Sequence, residues 1–153
     1  MAEKDYYKPI GNSLIKIMKN AGFSDATFEI TSNGNFSNEL NEKLKEVVSF
    51  LRREFCPDLC GHYNSNKIFT VEIKDEQLTI PHIYQAKSYA ELVKAEKAFL
   101  ISPIWFPLKI IKFLLIRPDI LRYSNNTRQL YVGLFDEETQ EIVTQNWLPI
   151  SPF

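Results

Sequence analysis

The sequence predicts an α/β fold, a mixed sheet with helices packed on it. Three observations carry that prediction. Apolar residues recur at helical spacing in three stretches: Leu14, Ile15 and Met18; Leu40, Leu44, Val47, Val48 and Leu51; and Ile83, Ala86, Ala90 and Val93. Two β-rich stretches flank the polar turn Asn64-Ser65-Asn66. Ala98-Phe99-Leu100-Ile101 is apolar at every position. That pattern suits a strand covered on both faces, parallel to a neighbour and reached through the preceding helix.

Taken in order, Met1 to Lys8 is polar and is expected to be a loosely docked arm. Pro9 to Asn20 reads as a helix that Gly22 ends. Ala26 to Thr31 reads as a strand and Ser32-Asn33-Gly34-Asn35 as a turn. Ser37 caps a second helix running to about Arg53, with Glu39, Glu42 and Glu46 away from its apolar stripe. Phe55 to His62 and Lys67 to Lys74 form a hairpin. If Tyr63 faces Lys67 across the three-residue loop, Asp58 falls opposite Glu72. Side chains alternate along a strand, so Glu72 and Lys74 share a face while Ile73 points into the core.

After the loop Asp75-Glu76-Gln77, a third helix begins near Ile80 or Pro81 and continues to about Lys94. It carries Gln85 and Tyr89 one turn apart. The apolar strand follows and Pro103 closes it. Phe106 to Ile116 is expected as a core-facing amphipathic helix, ended by Arg117-Pro118. Asp119 to Tyr123 is a turn. Gln129 to Phe135 and Gln140 to Trp147 make a hairpin around Asp136-Glu137-Glu138, and prolines extend the tail. Trp105 and Trp147 are expected to pack, Trp147 with the option of stacking on a base.

A chain of 153 residues with an ordinary apolar fraction is expected to form one domain. A net charge of −1 weighs against a long nucleic-acid track. The bases nevertheless gather between Lys97 and Phe135: Lys97, Lys109, Lys112, Arg117, Arg122 and Arg128 against the single acid Asp119. Two cysteines, Cys56 and Cys60, exclude a four-thiolate zinc site or a four-cysteine iron–sulfur cluster. They read as reduced thiols of a cytoplasmic protein. His62 and His82 lack ligand spacing and are expected at the surface. No signal peptide is expected, and Ile104 to Ile116 is too short to span a bilayer, so no membrane partner is expected.

Chemistry concentrates on the first hairpin. Magnesium prefers carboxylate oxygen and keeps several waters. Asp58 and Glu72, facing one another, supply two such ligands, and the Ile73 carbonyl between them a third. Lys74 then stands beside the attacking water or the phosphate oxygens. Without a cation, two like charges at matched strand positions repel.

Pro57-Asp58 followed by Glu72-Ile73-Lys74 resembles the signature of the PD-(D/E)XK nuclease superfamily. Gln85-Ala86-Lys87-Ser88-Tyr89 resembles the Q-x-x-x-Y motif of its RecB-type branch. The order helix, strands, helix, buried strand is similar to that superfamily's core, and the resemblance covers about Ser37 to Ser102. It implies a three-layer α/β/α sandwich with a central mixed sheet, restriction-endonuclease-like, in a single domain of residues 1–153. Residues 9–31 and 103–153 would extend the core at either end. The implied activity is Mg²⁺- or Mn²⁺-dependent hydrolysis of DNA phosphodiesters. Asp58 and Glu72 would be metal ligands, with the Ile73 carbonyl, Lys74 the catalytic lysine, and Gln85 and Tyr89 the substrate-positioning pair. A non-catalytic nuclease-like module binding nucleic acid or protein is the alternative. Many members carry a further acid on the helix before the hairpin; Glu39, Glu42, Glu46 and Glu54 all compete for that role here. The apolar C-terminal half suggests a homodimer.

Overall fold

A computed structural model describes residues 2–44 and 56–153. The chain is not frayed at its start. A 3-10 turn, Glu3–Tyr6, runs directly into helix α1, Tyr7–Asn20. Tyr6 and Tyr7 are both buried. The polar residues around them hid two aromatic anchors, and burying aromatic area outweighs the cost of ordering a short arm. Ile10, Leu14 and Met18 recur at helical spacing on the buried stripe of α1. Each contributes about 1.5–3 kcal/mol of burial. Gly22 adopts a φ of 102°, which lets the chain leave the helix in a left-handed turn.

Strand β1 (Thr27–Ile30) follows, then helix α2 (Asn38–Lys43). The Ser37 hydroxyl caps α2 by accepting from the Leu40 N–H at 3.2 Å. The continuation of that helix to Arg53, with Val47, Val48 and Leu51, lies outside the described residues. Strands β2 (Leu59–Tyr63) and β3 (Lys67–Ile73) form the expected hairpin. Tyr63 pairs with Lys67 and Leu59 with Val71, the register deduced from the three-residue loop. Asn64 and Ser65 take positive φ in that loop, which asparagine tolerates well. Helix α3 (Ile80–Leu92) and strand β4 (Lys97–Ser102) come next. Helix α4 (Leu108–Ile116), a 3-10 turn at Pro118–Leu121, and strands β5 (Arg122–Tyr123), β6 (Arg128–Asp136) and β7 (Glu141–Ile142) complete the chain.

The sheet has the order β1-β2-β3-β4-β6-β5, with β7 paired to β6. Strands β1, β2 and β3 are an antiparallel meander; β3, β4 and β6 are parallel. The fold is therefore α/β on a mixed sheet. Leu59, Phe69, Val71, Ile73, Phe99 and Ile101 share one apolar cluster with α1. Cys60, Ile68, Ala98, Leu100, Leu130 and Val132 share another with α2 and α3. Cys56 and Cys60 are both buried.

Helix α4 lays one stripe on the core as expected: Leu114 is buried, and Ile110 and Ile111 pack against the same cluster. Its outer side also carries apolar residues, with Leu108, Leu115 and Ile116 65%, 67% and 78% exposed. Two expectations are corrected. The second hairpin is short, because β7 pairs only through Ile142 and Glu141. The chain then turns through Val143 to Asn146 and returns to bridge Val132 from Leu148. That return lays Trp147 over Gly133, where a Cβ would collide with the indole, so Trp147 packs and presents no face for a base. His62 is buried, with Nε2 near Thr27 Oγ1 at 3.1 Å and Glu39 Oε1 at 3.2 Å.

No described helix is long and apolar enough to cross a membrane. Gly61 lies where a Cβ would strike the Thr27 carbonyl oxygen and the Phe69 ring. Backbone cannot yield there without opening the β1–β2 pairing. Gly61→Ala is expected to cost about 1–3 kcal/mol in a urea unfolding titration.

Candidate active site

The parallel strands β3 and β4 end at Ile73 and Ser102, and β2 starts at that same edge of the sheet. One residue before the β2 pairing begins, Asp58 stands beside Glu72. Its backbone is fixed by Thr31. The Thr31 hydroxyl donates to the Pro57 carbonyl at 2.7 Å, and its N–H donates to the Asp58 carbonyl at 2.9 Å. Thr31 is completely buried, so no water replaces these bonds.

The two carboxyl groups are sequestered, Asp58 7% and Glu72 4% exposed. Asp58 Oδ2 accepts from the Ile73 N–H at 2.8 Å, and Oδ1 accepts from the Tyr7 hydroxyl at 2.9 Å. In an extended strand a residue's N–H and C=O point to the same side, so the Ile73 carbonyl also faces the Asp58 side. Glu72 is served less well. Its Oε2 is buried and, among the described residues, receives no donor. The Asp58 carboxyl is within hydrogen-bonding reach of the Glu72 carboxyl group, a bond that forms only when one of the two acids holds a proton. Burial first, then Asp58 as bonded and charged neighbour, drives the Glu72 pKa well above the ordinary carboxylate value; Lys74 opposes this.

Lys74 is half-buried, and its charge acts on Glu72, Glu3, Tyr89 and His82. Gln85 and Tyr89 face this neighbourhood from α3, the Gln85 amide 3.5 Å from the Tyr89 hydroxyl. Burial raises the Tyr89 pKa, and Glu72 and Asp58 add to it. The loop after β3 is held from two sides. Ser102 donates to the Glu76 carbonyl at 2.9 Å, and the Thr79 N–H donates to His82 Nδ1 at 3.1 Å at the start of α3.

Of the five side chains singled out from sequence, Asp58 and Glu72 stand together, Lys74 and Tyr89 act on them electrostatically, and Gln85 is tied to Tyr89. The competing acids do not join them. Glu39 and Glu42 are exposed on α2, Glu39 beside His62; Glu46 and Glu54 lie outside the described residues. The acid that does approach is Glu3. Its Oε1 is 3.4 Å from the Tyr7 hydroxyl, and burial followed by Asp58 raises its pKa. Glu3 and Tyr7 were missed because they precede the first apolar stripe. The aromatic pair Tyr6-Tyr7 was the signal that this arm docks.

Among the described residues, no group of three or more His, Cys, Asp or Glu is placed to hold a metal ion. Of the clustered bases, Arg117 pairs with Asp119, Arg128 donates to the Lys94 and Ala95 carbonyls, and Lys97 lies over the Tyr131 and Phe153 rings. Lys109 and Lys112 stand exposed on α4. No family model, curated protein or solved structure matches the chain.

Two outcomes are expected. Thr31→Val keeps the shape but leaves the Pro57 carbonyl buried without its donor, a loss of about 1–3 kcal/mol by urea unfolding. The second concerns pH. An unfolded chain releases the Glu72 proton near 4.5, whereas the fold retains it to higher pH. Over that window the unfolded state binds fewer protons, so stability is full below 4.5 and falls as pH rises. Glu72→Gln should flatten that decline and gain about 1 kcal/mol or more at neutral pH, read by unfolding with chelator present.

Proposed function

We propose that the chain is a divalent-cation-dependent phosphodiesterase acting on DNA, of the PD-(D/E)XK type. The observation that carries this is the burial of Asp58 against Glu72 with one Glu72 oxygen left without a donor among the described residues. A partnerless buried carboxylate oxygen beside a second carboxyl group is costly in a protein without an ion. It fits Mg²⁺ or Mn²⁺, because magnesium needs only one or two carboxylates and completes its shell with water and substrate oxygens. Asp58 retains acceptor capacity for this, since each of its oxygens receives one donor and offers a further lone pair.

In this proposal Asp58, Glu72 and the Ile73 carbonyl hold the ion. When bound, such an ion polarises a phosphoryl oxygen and lowers the pKa of a coordinated water. Lys74, two residues from Glu72, supplies fixed positive charge for the negative charge that develops on the phosphate. Gln85 and Tyr89 orient the substrate from α3. Glu3 takes the place of the additional acid that Glu39 and Glu42 do not supply. The order α2, β2, β3, α3 and the buried parallel strand β4 is in keeping with the superfamily core that Ser37 to Ser102 resembles. Separate apolar clusters under α1 and α3 agree with a three-layer α/β/α sandwich.

The alternative, a nuclease-like module that binds without cutting, draws on the missing three-acid cluster among the described residues. One experiment separates the two. Single-stranded, duplex and branched DNA are incubated with the protein in Mg²⁺ or Mn²⁺ and in chelator. Cleavage that requires the metal is expected. Asp58→Asn and Lys74→Ala should each lower it by about 100-fold or more while circular dichroism stays unchanged. Salt-sensitive DNA binding with no cleavage under any metal would establish the non-catalytic module instead.

A further inference from the structure

We propose that Tyr7 is a positioning residue for the candidate cation site, holding Asp58 through its hydroxyl. The inference rests on the phosphodiesterase proposal, because it assigns Asp58 to a cation.

Packing alone would be met by phenylalanine at this position. The Tyr7 ring sits in the apolar cluster that covers the α1 face of the sheet, with Ile10 and Leu14 one to two turns on. A phenol oxygen taken into such a place costs free energy unless it is bonded. Its short bond is to Asp58 Oδ1 at 2.9 Å, across 51 residues of sequence; the local acceptor, Glu3 Oε1, stands farther off at 3.4 Å.

The effect on Asp58 is geometric. One carboxylate oxygen is pinned by the main chain of Ile73 and the other by Tyr7. Rotation of the carboxyl plane would break one bond or the other, so both remaining acceptor positions are fixed in the space beside Glu72. Asp58 precedes the paired part of β2, where strand pairing does not hold the chain. Thr31 fixes its backbone, and among the described residues Tyr7 and Ile73 are the donors that fix its head.

Tyr7 is itself anchored at the neighbouring residue. The Tyr6 hydroxyl donates to Glu137 Oε1 at 2.9 Å, and its ring meets Phe135 edge-on at 5.9 Å. The start of α1 is thereby tied to the far strand β6, and the Tyr7 hydroxyl is delivered to the site by a braced element. Groups that orient a metal ligand from behind govern affinity as strongly as many ligands do, typically 10–100-fold.

The test is Mn²⁺ binding, followed by electron paramagnetic resonance of the free ion, on the full chain without DNA. Tyr7→Phe removes one oxygen and keeps the ring. Its Mn²⁺ affinity should fall by about tenfold or more. In cleavage assays the half-saturating Mg²⁺ concentration should rise while the KM for DNA stays unchanged. 4-Aminophenylalanine at position 7 restores a donor at the same place and should return the affinity to within about threefold, a result that also covers the case of an unfolded Tyr7→Phe. Unaltered Mn²⁺ affinity in Tyr7→Phe, with affinity lost in Asp58→Asn, overturns the role of Tyr7 and leaves the cation site standing. Failure of 4-aminophenylalanine to restore affinity overturns it also. No Mn²⁺ binding by the unsubstituted chain overturns the cation site and Tyr7's role in it together.

Discussion

Two carboxyl groups withdrawn from water at one end of a sheet set the terms for everything near them. A buried acid needs donors, a counter-charge or a proton. Three elements converge to supply donors, and all of them serve Asp58: Tyr7 from α1, Ile73 from β3, and Thr31 through the backbone. None reaches Glu72 Oε2. That asymmetry is chemical content. One acid is held in place by the fold, and the other is left with capacity that only a proton or an ion can use.

The location follows from strand direction. Parallel strands β3, β4 and β6 are covered on both faces, so their side chains are apolar wherever helices lie above them. The paired carboxyl groups lie where the strands stop. In open sheets with parallel strands, that carboxyl edge is also where ligands find a crevice. Here it is the edge where α1 and α3 begin and where the loop from Lys74 to Thr79 is tied down by Ser102 and His82. Elements far apart in sequence thus meet at that one edge.

Local chemistry explains what could be read beforehand. The Asn64-Ser65-Asn66 loop forces a three-residue connection, and a three-residue connection forces the Tyr63–Lys67 register. The meeting of Asp58 and Glu72 then follows without any knowledge of tertiary structure. The α3 stripe of Ile83, Ala86, Ala90 and Val93 and the wholly apolar β4 were legible for the same reason, since each pattern has one burial solution. Where a pattern had several solutions, it misled. Helix α4 does lay Ile110, Ile111 and Leu114 on the core, but that stripe gave no warning that Leu108, Leu115 and Ile116 stay exposed. His62 sits in a strand whose residues are all buried, and Glu39 and Thr27 give its Nε2 the partners that let it lie there. Tyr6 and Tyr7 lie among charges and ahead of any stripe, and their docking depends on β6 and Asp58, residues more than fifty positions away.

An apolar residue in place of Glu72 would fill the same space without a desolvated charge, and buried ion sites replaced in that way are often more stable. Folding therefore gives no reason for an acid there. The fold can carry the burden because net stability is a small difference between large terms and the two-sided core around β3 and β4 is extensive. The burial that makes Glu72 costly also lowers the local dielectric, and in the proposed function an ion and the Lys74 ammonium would act there on a phosphate far more strongly than in water. The penalty and the proposed chemistry are one electrostatic fact seen with the cation absent and with it bound.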